Sequence, residues 1–436
     1  MESNVVANSA RSNFGLWGWL TIIFTFFSFM LSGHLILDSL NLTVPACAAY
    51  RGWNAGTLLA YSTPAGLIAI PCMLFIGWRI NKAGAKRVVC ACIVLATICS
   101  FLWGRVTELW QFFVITLVIN AGVQGFGFLG MSTILDNWFP RKKGLALGWA
   151  TIGFQASSVI MIPIETKLLN PNGQFAPENI VKVYDFLGFV LIALLILAIA
   201  IVKNNPEERN CAPDNDRSKS IEYYKGLHEE ALEYKRTSPF TAKKLLQTKQ
   251  MWLVGIVMGL VMLCLNCMMP TFIPSMQAGG MSVAKATAIY STAAAIGAAF
   301  SYVYGVIDQK IGAKKATVFM CVHHALAAFI TALAVMTGSA ILLVIGALLI
   351  GSNMGSSSNL VGSLTGTIFG RYDFEKAYTA VYAVCCVVRQ FAFLITGNVL
   401  NATGSYGIAY ICAGVVAVLA LIITLRIDDT CIGRVD

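Results

Sequence analysis

The stretch GWRINKAGAKR, residues Gly77–Arg87, decides the fold because it occurs twice. A second copy, GVIDQKIGAKK, covers Gly305–Lys315, and both copies read G-x6-G-A-K-[RK]. Each copy joins two apolar runs at the same place in its half of the chain. Two unrelated basic loops would share the charge but not the glycine spacing. The pattern therefore predicts a chain built from two structural repeats.

Composition places these repeats in a membrane. Of the 436 residues, 57% are hydrophobic and 12% are charged, whereas soluble domains carry about 25% charged residues. The net charge of +10 could suit nucleic acid, but the basic residues stand in short clusters between apolar runs, which is the positive-inside pattern. The first apolar run, Leu16 to Leu37, is longer than the core of a cleavable signal. We expect a multi-pass protein of the lipid bilayer without a nucleic-acid partner.

Twelve runs approach the ~20 apolar residues that a spanning helix needs. They cover residues 16–40, 55–78, 86–104, 109–136, 143–166, 183–203, 252–275, 284–306, 314–337, 340–366, 376–400 and 405–426. A long polar segment, 204–250, divides them into two sets of six. The sequence predicts an all-α membrane protein with two pseudo-symmetric six-helix halves, 1–203 and 251–436, and a linker at 204–250.

The loops predict the orientation of these spans. Basic residues cluster in alternate loops, at Arg79, Lys82, Lys86, Arg87, Arg141, Lys142, Lys143, Lys310, Lys314, Lys315, Arg371 and Lys376. The opposite loops hold few, namely Arg51, Arg105, Lys167 and Lys182. Because loops rich in Lys and Arg stay in the cytoplasm, we expect both termini and the linker to be cytoplasmic, in a plasma (cell inner) membrane.

The repeated loops resemble the signature G-x-L-x-D-R-x-G-R-[KR], which follows helices 2 and 8 in the major facilitator superfamily. The resemblance implies that fold and a conformational latch, formed here by Gly77, Asn81, Gly84, Arg87, Gly305, Asp308 and Gly312. The match has departures: the acidic position is Asn81 in the first copy and Gln309 in the second. Either the latch is weaker than in the family or Asp308 substitutes for the missing carboxylate.

A second stretch narrows the resemblance. DNWFPRKKGLALGWATIGFQASSVIMIP, Asp136–Pro163, is similar to the junction of helices 4 and 5 in the oxalate/formate antiporter and monocarboxylate transporter branch. That branch carries W-F-x-[RK]-[RK]-x-G-x-A-x-G before a glycine-rich helix 5, where small residues let helices approach closely. The resemblance implies a transporter of small-molecule carboxylates rather than an enzyme, with no cofactor or metal.

An arginine interrupts the apolar run AVCCVVRQFAFLI, Ala383–Ile395. Arg389 lies ~13 residues into its span, or ~20 Å at the rise of a helix, which is too deep for easy snorkelling. In the oxalate/formate branch, helix 11 carries a basic residue that binds a substrate carboxylate, and Arg389 matches it. The planar guanidinium suits two-point carboxylate binding. The alternative is an arginine that caps carbonyl groups or pairs with a buried acid.

The eighth span departs from the branch. Oxalate-type and monocarboxylate members place a basic residue in helix 8, whereas this span holds only Lys285, at its outer edge. One deep cation indicates a substrate with one carboxylate. Tyr290, Tyr302 and Tyr304 instead offer aromatic surface, which suits a larger and partly apolar substrate.

Two ionisable residues, His34 and Asp38, lie four positions apart in the first span and share a helix face. Such intramembrane groups are candidate proton carriers, and histidine titrates near physiological pH. The alternative is an inert polar patch. Cys264 and Cys267 have metal-like spacing, but no further Cys/His pair lies nearby in the sequence, so we expect no metal site.

Uncharged polar residues complete the predicted substrate site. Beside Arg389 they are Asn120, Gln124, Gln155, Asn353, Ser357 and Tyr302. Gln155 is favoured because the repeat places it close to the counterpart of Arg389. Hydrogen bonding between helices explains most such residues equally well.

The sequence therefore predicts a monomeric transporter that carries an organic anion, a monocarboxylate, by antiport or by symport with protons. One alternative is a proton symporter for a bulky aromatic or bile-type acid. An alternative of another class is a membrane sensor that signals through the linker and transports nothing.

Overall fold

The computed structural model describes residues 14–139, 143–216 and 240–432, apart from the side chains of 81, 143–145, 242, 357–359 and 370–375. Six helical spans precede the linker: α1 (Gly15–Gly33 and Leu40–Arg51), α2 (Ala55–Ala83), α3 (Ala85–Trp103), α4 (Leu109–Val123 and Gly130–Trp138), α5 (Lys143–Ala156 and Ile162–Leu169) and α6 (Ile180–Ile201). The two pieces of α1, α4 and α5 are joined by π-helical turns, His34–Asp38, Gln124–Leu129 and Ser157–Met161.

Six spans follow the linker, after a short helix at Ala242–Gln247. They are α7 (Lys249–Met268 and Phe272–Ala278), α8 (Val283–Ile311), α9 (Ala313–Thr337), α10 (Ala340–Asn353), α11 (Ser356–Thr403) and α12 (Tyr406–Thr424). Helix α11 is continuous and carries a short apolar stretch, Leu360–Phe369, followed by the long apolar stretch Lys376–Thr403. The loop that the sequence predicts between residues 366 and 376 is therefore helical. In the described chain, eleven stretches are long and apolar enough to span a bilayer alone. The predicted all-α fold is confirmed.

Polar side chains fix where several spans begin. Asn54, Ser282, Ser339 and Ser405 each accept a hydrogen bond from a backbone N–H in the first turn of α2, α8, α10 and α12, respectively. An N-cap of this kind contributes about 1 kcal/mol by satisfying one of the free N–H groups. These four helices all begin on the side of the bundle opposite the linker, which we call the far side.

The repeat predicted from the glycine spacing is visible in the backbone. Both α2 and α8 have 29 residues. Gly84, between α2 and α3, has φ 84° and ψ 149°, and Gly312, between α8 and α9, has φ 85° and ψ 157°. Residues with a Cβ essentially never adopt this conformation. The two glycines are therefore required by the same tight helix–helix turn in each half.

The halves meet on the far side. Helices α2 and α11 cross so closely that a Cβ on Gly397 would lie 2.4 Å from the Gly56 carbonyl oxygen. The Thr63 hydroxyl donates to the Gln390 carbonyl at 2.7 Å, and the Thr166 and Thr287 hydroxyls lie 3.0 Å apart. These contacts close the bundle on the far side. Toward the linker side, α5 and α8 separate and leave a cleft.

Candidate functional site

The cleft between the halves has a volume of about 540 Å³ and is open at one end. Helix α5 contributes Thr151, Phe154 and Gln155 to its wall, and α8 contributes Tyr302 and Gln309. Tyr302 is 78% exposed. Two residues of the predicted substrate site, Gln155 and Tyr302, therefore line the same cleft. A volume of this size suits a small organic molecule.

Arg389 is buried in α11, with 8% of its surface exposed. Its Nη1 donates a long hydrogen bond to the Tyr382 hydroxyl at 3.4 Å, and its guanidinium lies 5.9 Å from the Phe128 ring. Its Nε has no described partner, and none of the described ion pairs includes Arg389. Phe128 stacks at 5.7 Å on Phe154 of the cleft wall. The cation thus lies one aromatic layer behind the cleft, without a described counter-ion.

His34 and Asp38 belong to a buried network at the π-helical turns of α1 and α5. Asp38 Oδ2 accepts from the hydroxyls of Ser157 at 2.6 Å and Ser158 at 2.9 Å. Asp38 Oδ1 accepts from the Tyr290 hydroxyl of α8 at 2.8 Å. The π-helical turns interrupt the regular helical spacing here. The network lies where α1 and α5 of the first half contact α8 of the second half.

Glu165 is the member of this network that sequence reasoning missed. Its Oε1 lies 2.8 Å from His34 Nε2 and accepts from the Ser39 hydroxyl at 3.0 Å, and the side chain is fully buried. Its Oε2 has no described partner. The signal was present, since Glu165 lies inside the predicted span 143–166.

The expectation of three tyrosines offering aromatic surface is wrong for two of them. Tyr290 is 1% exposed and donates to Asp38. Tyr304 is fully buried, with its hydroxyl 2.6 Å from His323 Nδ1 and 3.4 Å from Asn353 Oδ1. Among the three, Tyr302 is the one that lines the cleft.

Three further residues of the predicted substrate site, Asn120, Gln124 and Asn353, are not among the described residues that line the cleft. Asn120 donates to the Thr116 carbonyl of its own helix at 2.9 Å, and Gln124 is buried with an unpartnered Oε1. Asn353 is fully buried between α8 and α9. The Ser357 side chain lies outside the described residues.

The predicted latch residues lie at the linker-side ends of the helices. Gly305 lines the cleft, Gly77 and Arg87 lie around the first turn, and the Asp308 carbonyl accepts from the Gly312 N–H at 2.8 Å. The Asn81 side chain lies outside the described residues.

Each repeated loop has a partner within its own half. Lys86 Nζ donates to the Ile199 carbonyl at 2.8 Å, and Lys314 lies 3.9 Å from Asp429. None of the described ion pairs joins the two loops across the open cleft.

The described cysteines, including Cys264 and Cys267, are free thiols. In the described part of the chain, no three His, Cys, Asp or Glu side chains are grouped to hold a metal ion.

Comparisons with known proteins address the fold and the family. The sequence profile of the Major Facilitator Superfamily matches residues 18–392. No curated protein gave a significant sequence match.

Three solved structures illustrate the likeness. A D-xylose-proton symporter superposes with a TM-score of 0.75 at 14% identity, covering 97% of this chain and 100% of that chain. The inward-open xylose transporter XylE from E. coli gives 0.73 at 12% identity, covering 93% and 95%. The nucleoside transporter NupG gives 0.65 at 15% identity, covering 94% and 100%. Such identities show the fold alone, whereas the profile covers most of the chain, and the chain therefore belongs to the major facilitator superfamily.

Proposed function

We propose that this protein is a secondary active transporter that moves an organic anion, a monocarboxylate, by alternating access. The moving bodies are the halves 1–203 and 251–436, and 204–250 links them. The observation that carries this proposal is Arg389, a buried guanidinium beside the cleft that lacks a counter-ion among the described side chains.

The energetics of burial support an anionic substrate. A buried charge is costly unless it is paired and hydrogen-bonded. Arg389 has one long hydrogen bond and two ring contacts, to Phe128 and Tyr382. A carboxylate that approaches from the cleft would supply two charge-assisted hydrogen bonds. This requires the Phe128–Phe154 layer to move, which fits a site that forms as the halves rock.

The number of cations supports one carboxylate rather than two. Among the described side chains, Arg389 is the one buried Lys or Arg. A dicarboxylate would leave its second charge without a buried partner. The cleft wall offers neutral groups instead, including Gln155, Thr151 and Gln309.

A proton symporter for a bulky aromatic or bile-type acid is the second candidate. It is favoured by the two rings next to the cation, Phe128 and Tyr382, and by Phe154, which stacks on Phe128. These rings would contact the apolar body of such a substrate. The network at His34 and Asp38 would carry the coupled proton.

The basic loops support a plasma-membrane protein with its termini and linker in the cytoplasm, so the open cleft would face the cytoplasm. The same proposal has the protein act as a monomer.

The test is a ligand-induced thermal shift on the purified protein. A panel of monocarboxylates, each with its uncharged primary amide and a matching dicarboxylate, is measured on wild type and on Arg389→Ala. We expect some monocarboxylates to stabilise wild type, their amides to fail, and Arg389→Ala to abolish the shift. Arg426→Ala, which removes an exposed arginine, is the matched control and should behave as wild type. Equal shifts from acid and amide, or shifts that persist in Arg389→Ala, would reject Arg389 as the anion site.

A further inference from the structure

A continuous path of hydrogen bonds links two acidic side chains on the far-side contact. The Ser157 hydroxyl donates to Asp38 Oδ2 at 2.6 Å and lies 3.1 Å from His34 Nδ1. The other ring nitrogen of His34, Nε2, lies 2.8 Å from Glu165 Oε1. All four side chains are buried, with at most 3% exposed. Histidine, serine and carboxyl groups can each accept one proton and release another, so the path can conduct a proton.

The hydrogen bonds around Asp38 indicate which group carries negative charge when the far side is closed. Asp38 accepts from three hydroxyls, those of Ser157, Ser158 and Tyr290. Hydrogen bonds to an ionised acceptor are roughly twice as strong as neutral ones. Closure therefore favours ionised Asp38, and a proton on Asp38 weakens its hold on Tyr290.

We infer that Glu165 is a proton-binding residue, and that a proton entering there reaches Asp38 and releases the Tyr290 contact that closes the far side. This inference rests on the alternating access of the proposed function. Glu165 passes a proton to His34 Nε2, His34 releases its Nδ1 proton to Ser157, and Ser157 passes its hydroxyl proton to Asp38. Water supplies one proton to Glu165, and Asp38 becomes a neutral acid. His34 and Ser157 end with as many protons as they began with.

The position of Glu165 makes it the entrance of this path. It lies four residues before the far-side end of α5 at Leu169. Its Oε1 is engaged by His34 and Ser39, whereas its Oε2 has no described partner. When the far side opens transiently, this oxygen is the acceptor in the network that water can reach without displacing a described hydrogen bond. The proton taken up then favours the open state, because neutral Asp38 holds Tyr290 more weakly.

Tyr290 makes the network a gate because it belongs to α8, in the other half. Beside it, the Ser291 hydroxyl donates to the Ser158 carbonyl at 2.6 Å, and Thr287 pairs with Thr166. Asp38 is the one charged group among these contacts between α8 and the first half. Its protonation therefore changes the strength of the contact most.

Several titratable groups face the network. They are His34, Asp38 and Cys47 of α1, Glu165 of α5, Tyr184 of α6 and Tyr290 of α8. Helix α7 contributes the backbone N–H of Ile273, which donates to Asn41. Tyrosine and cysteine ordinarily keep their protons at neutral pH.

The test measures opening of the far side in right-side-out vesicles. Thr287→Cys is introduced into the full chain, because Thr287 is buried in the closed contact. An impermeant maleimide is added outside, and labelling rates are compared in alkaline and acidic buffer. The chain without Thr287→Cys corrects for native thiols, and Gln174→Cys, at an exposed loop position, corrects for the pH dependence of the reagent.

We expect acid to raise the corrected rate about tenfold, the effect of losing one charge-assisted hydrogen bond. Glu165→Gln should remove this response, and Glu178→Gln, at an exposed glutamate in the loop that follows α5, should keep it. Tyr290→Phe should raise labelling in alkaline buffer toward the acidic rate of the parent.

The inference is overturned if acid does not change labelling of the parent, or if Glu165→Gln responds as Glu178→Gln does. It is also overturned if Tyr290→Phe labels like the parent in alkaline buffer, a measurement that stands even if Glu165→Gln does not fold. The assay needs no substrate. The labelling result can therefore be interpreted even if no carboxylate binds. A negative labelling result, in turn, would not affect the proposal that Arg389 binds an anion.

Discussion

Two buried charge sites in the described part of the chain, at Asp38 and at Arg389, differ in how their charges are satisfied. Asp38 accepts three hydroxyl hydrogen bonds and shares a network with His34 and Glu165. Arg389 has a single long hydrogen bond, two aromatic neighbours and an Nε without a described partner. A buried group whose partners are in place holds a conformation, whereas a buried charge without a counter-ion provides a binding site for one.

The backbone conformation also differs between the two sites. The network lies at π-helical turns of α1 and α5, which displace side chains from the regular helical positions. Arg389 lies on the regular helix α11. The irregular backbone brings several groups together, and the regular one presents a single group at a depth set by its position in the chain.

The largest effect is expected where the charge is unsatisfied. Arg389→Ala should lower counterflow of the monocarboxylate identified by thermal shift by about 100-fold, because two charge-assisted hydrogen bonds contribute ~3 kcal/mol. Arg389→Lys should lose most of that activity as well, since an ammonium group cannot reproduce the planar fork. Both variants are compared with wild type in proteoliposomes at matched protein levels. Near-normal counterflow by either variant would show that Arg389 is not a binding site for the anion, and the contrast with Asp38 would not hold.

At Asp38, whose charge is hydrogen-bonded, we expect a substitution to affect proton-driven uptake selectively. Asp38→Asn should abolish uptake driven by a pH gradient and spare exchange of internal for external substrate, because exchange needs binding and rocking but no net proton movement. Both modes are measured in the same proteoliposomes. Equal loss of both modes would make Asp38 structural, and wild type that shows no uptake with a pH gradient would make the protein an exchanger without proton coupling.

The smallest effect is expected at a third polar cluster, which lies between α8, α9 and α10. Asn353→Ala removes two long hydrogen bonds, to Tyr304 at 3.4 Å and to the His323 carbonyl at 3.5 Å. It should lower stability by about 1 kcal/mol and change substrate affinity by about twofold or less. Thermal unfolding and the ligand-induced shift separate the two quantities. A large loss of affinity would return Asn353 to the substrate site.

Much of the site could be predicted at the level of single helices. The depth of Arg389, the four-residue spacing of His34 and Asp38, and the place of Gln155 and Tyr302 follow from positions along a span. The orientation of Tyr290 could not be predicted, because its hydroxyl is 252 positions away from Asp38 in the chain. Nor could the sequence indicate which polar residues turn toward the cleft, because that depends on helix rotation set by packing.

The sequence by itself determined the helical spans, their division into two sets of six and the repeated turn at Gly84 and Gly312. These features depend on local properties, namely apolar length and a backbone conformation that requires glycine. Only the tertiary structure decided that Glu165 joins His34, 131 positions away, and that Arg389 has no described counter-ion. The physical reason is that burial and hydrogen-bond pairing depend on which helices pack together, and the spacing of residues within one helix does not specify its partners.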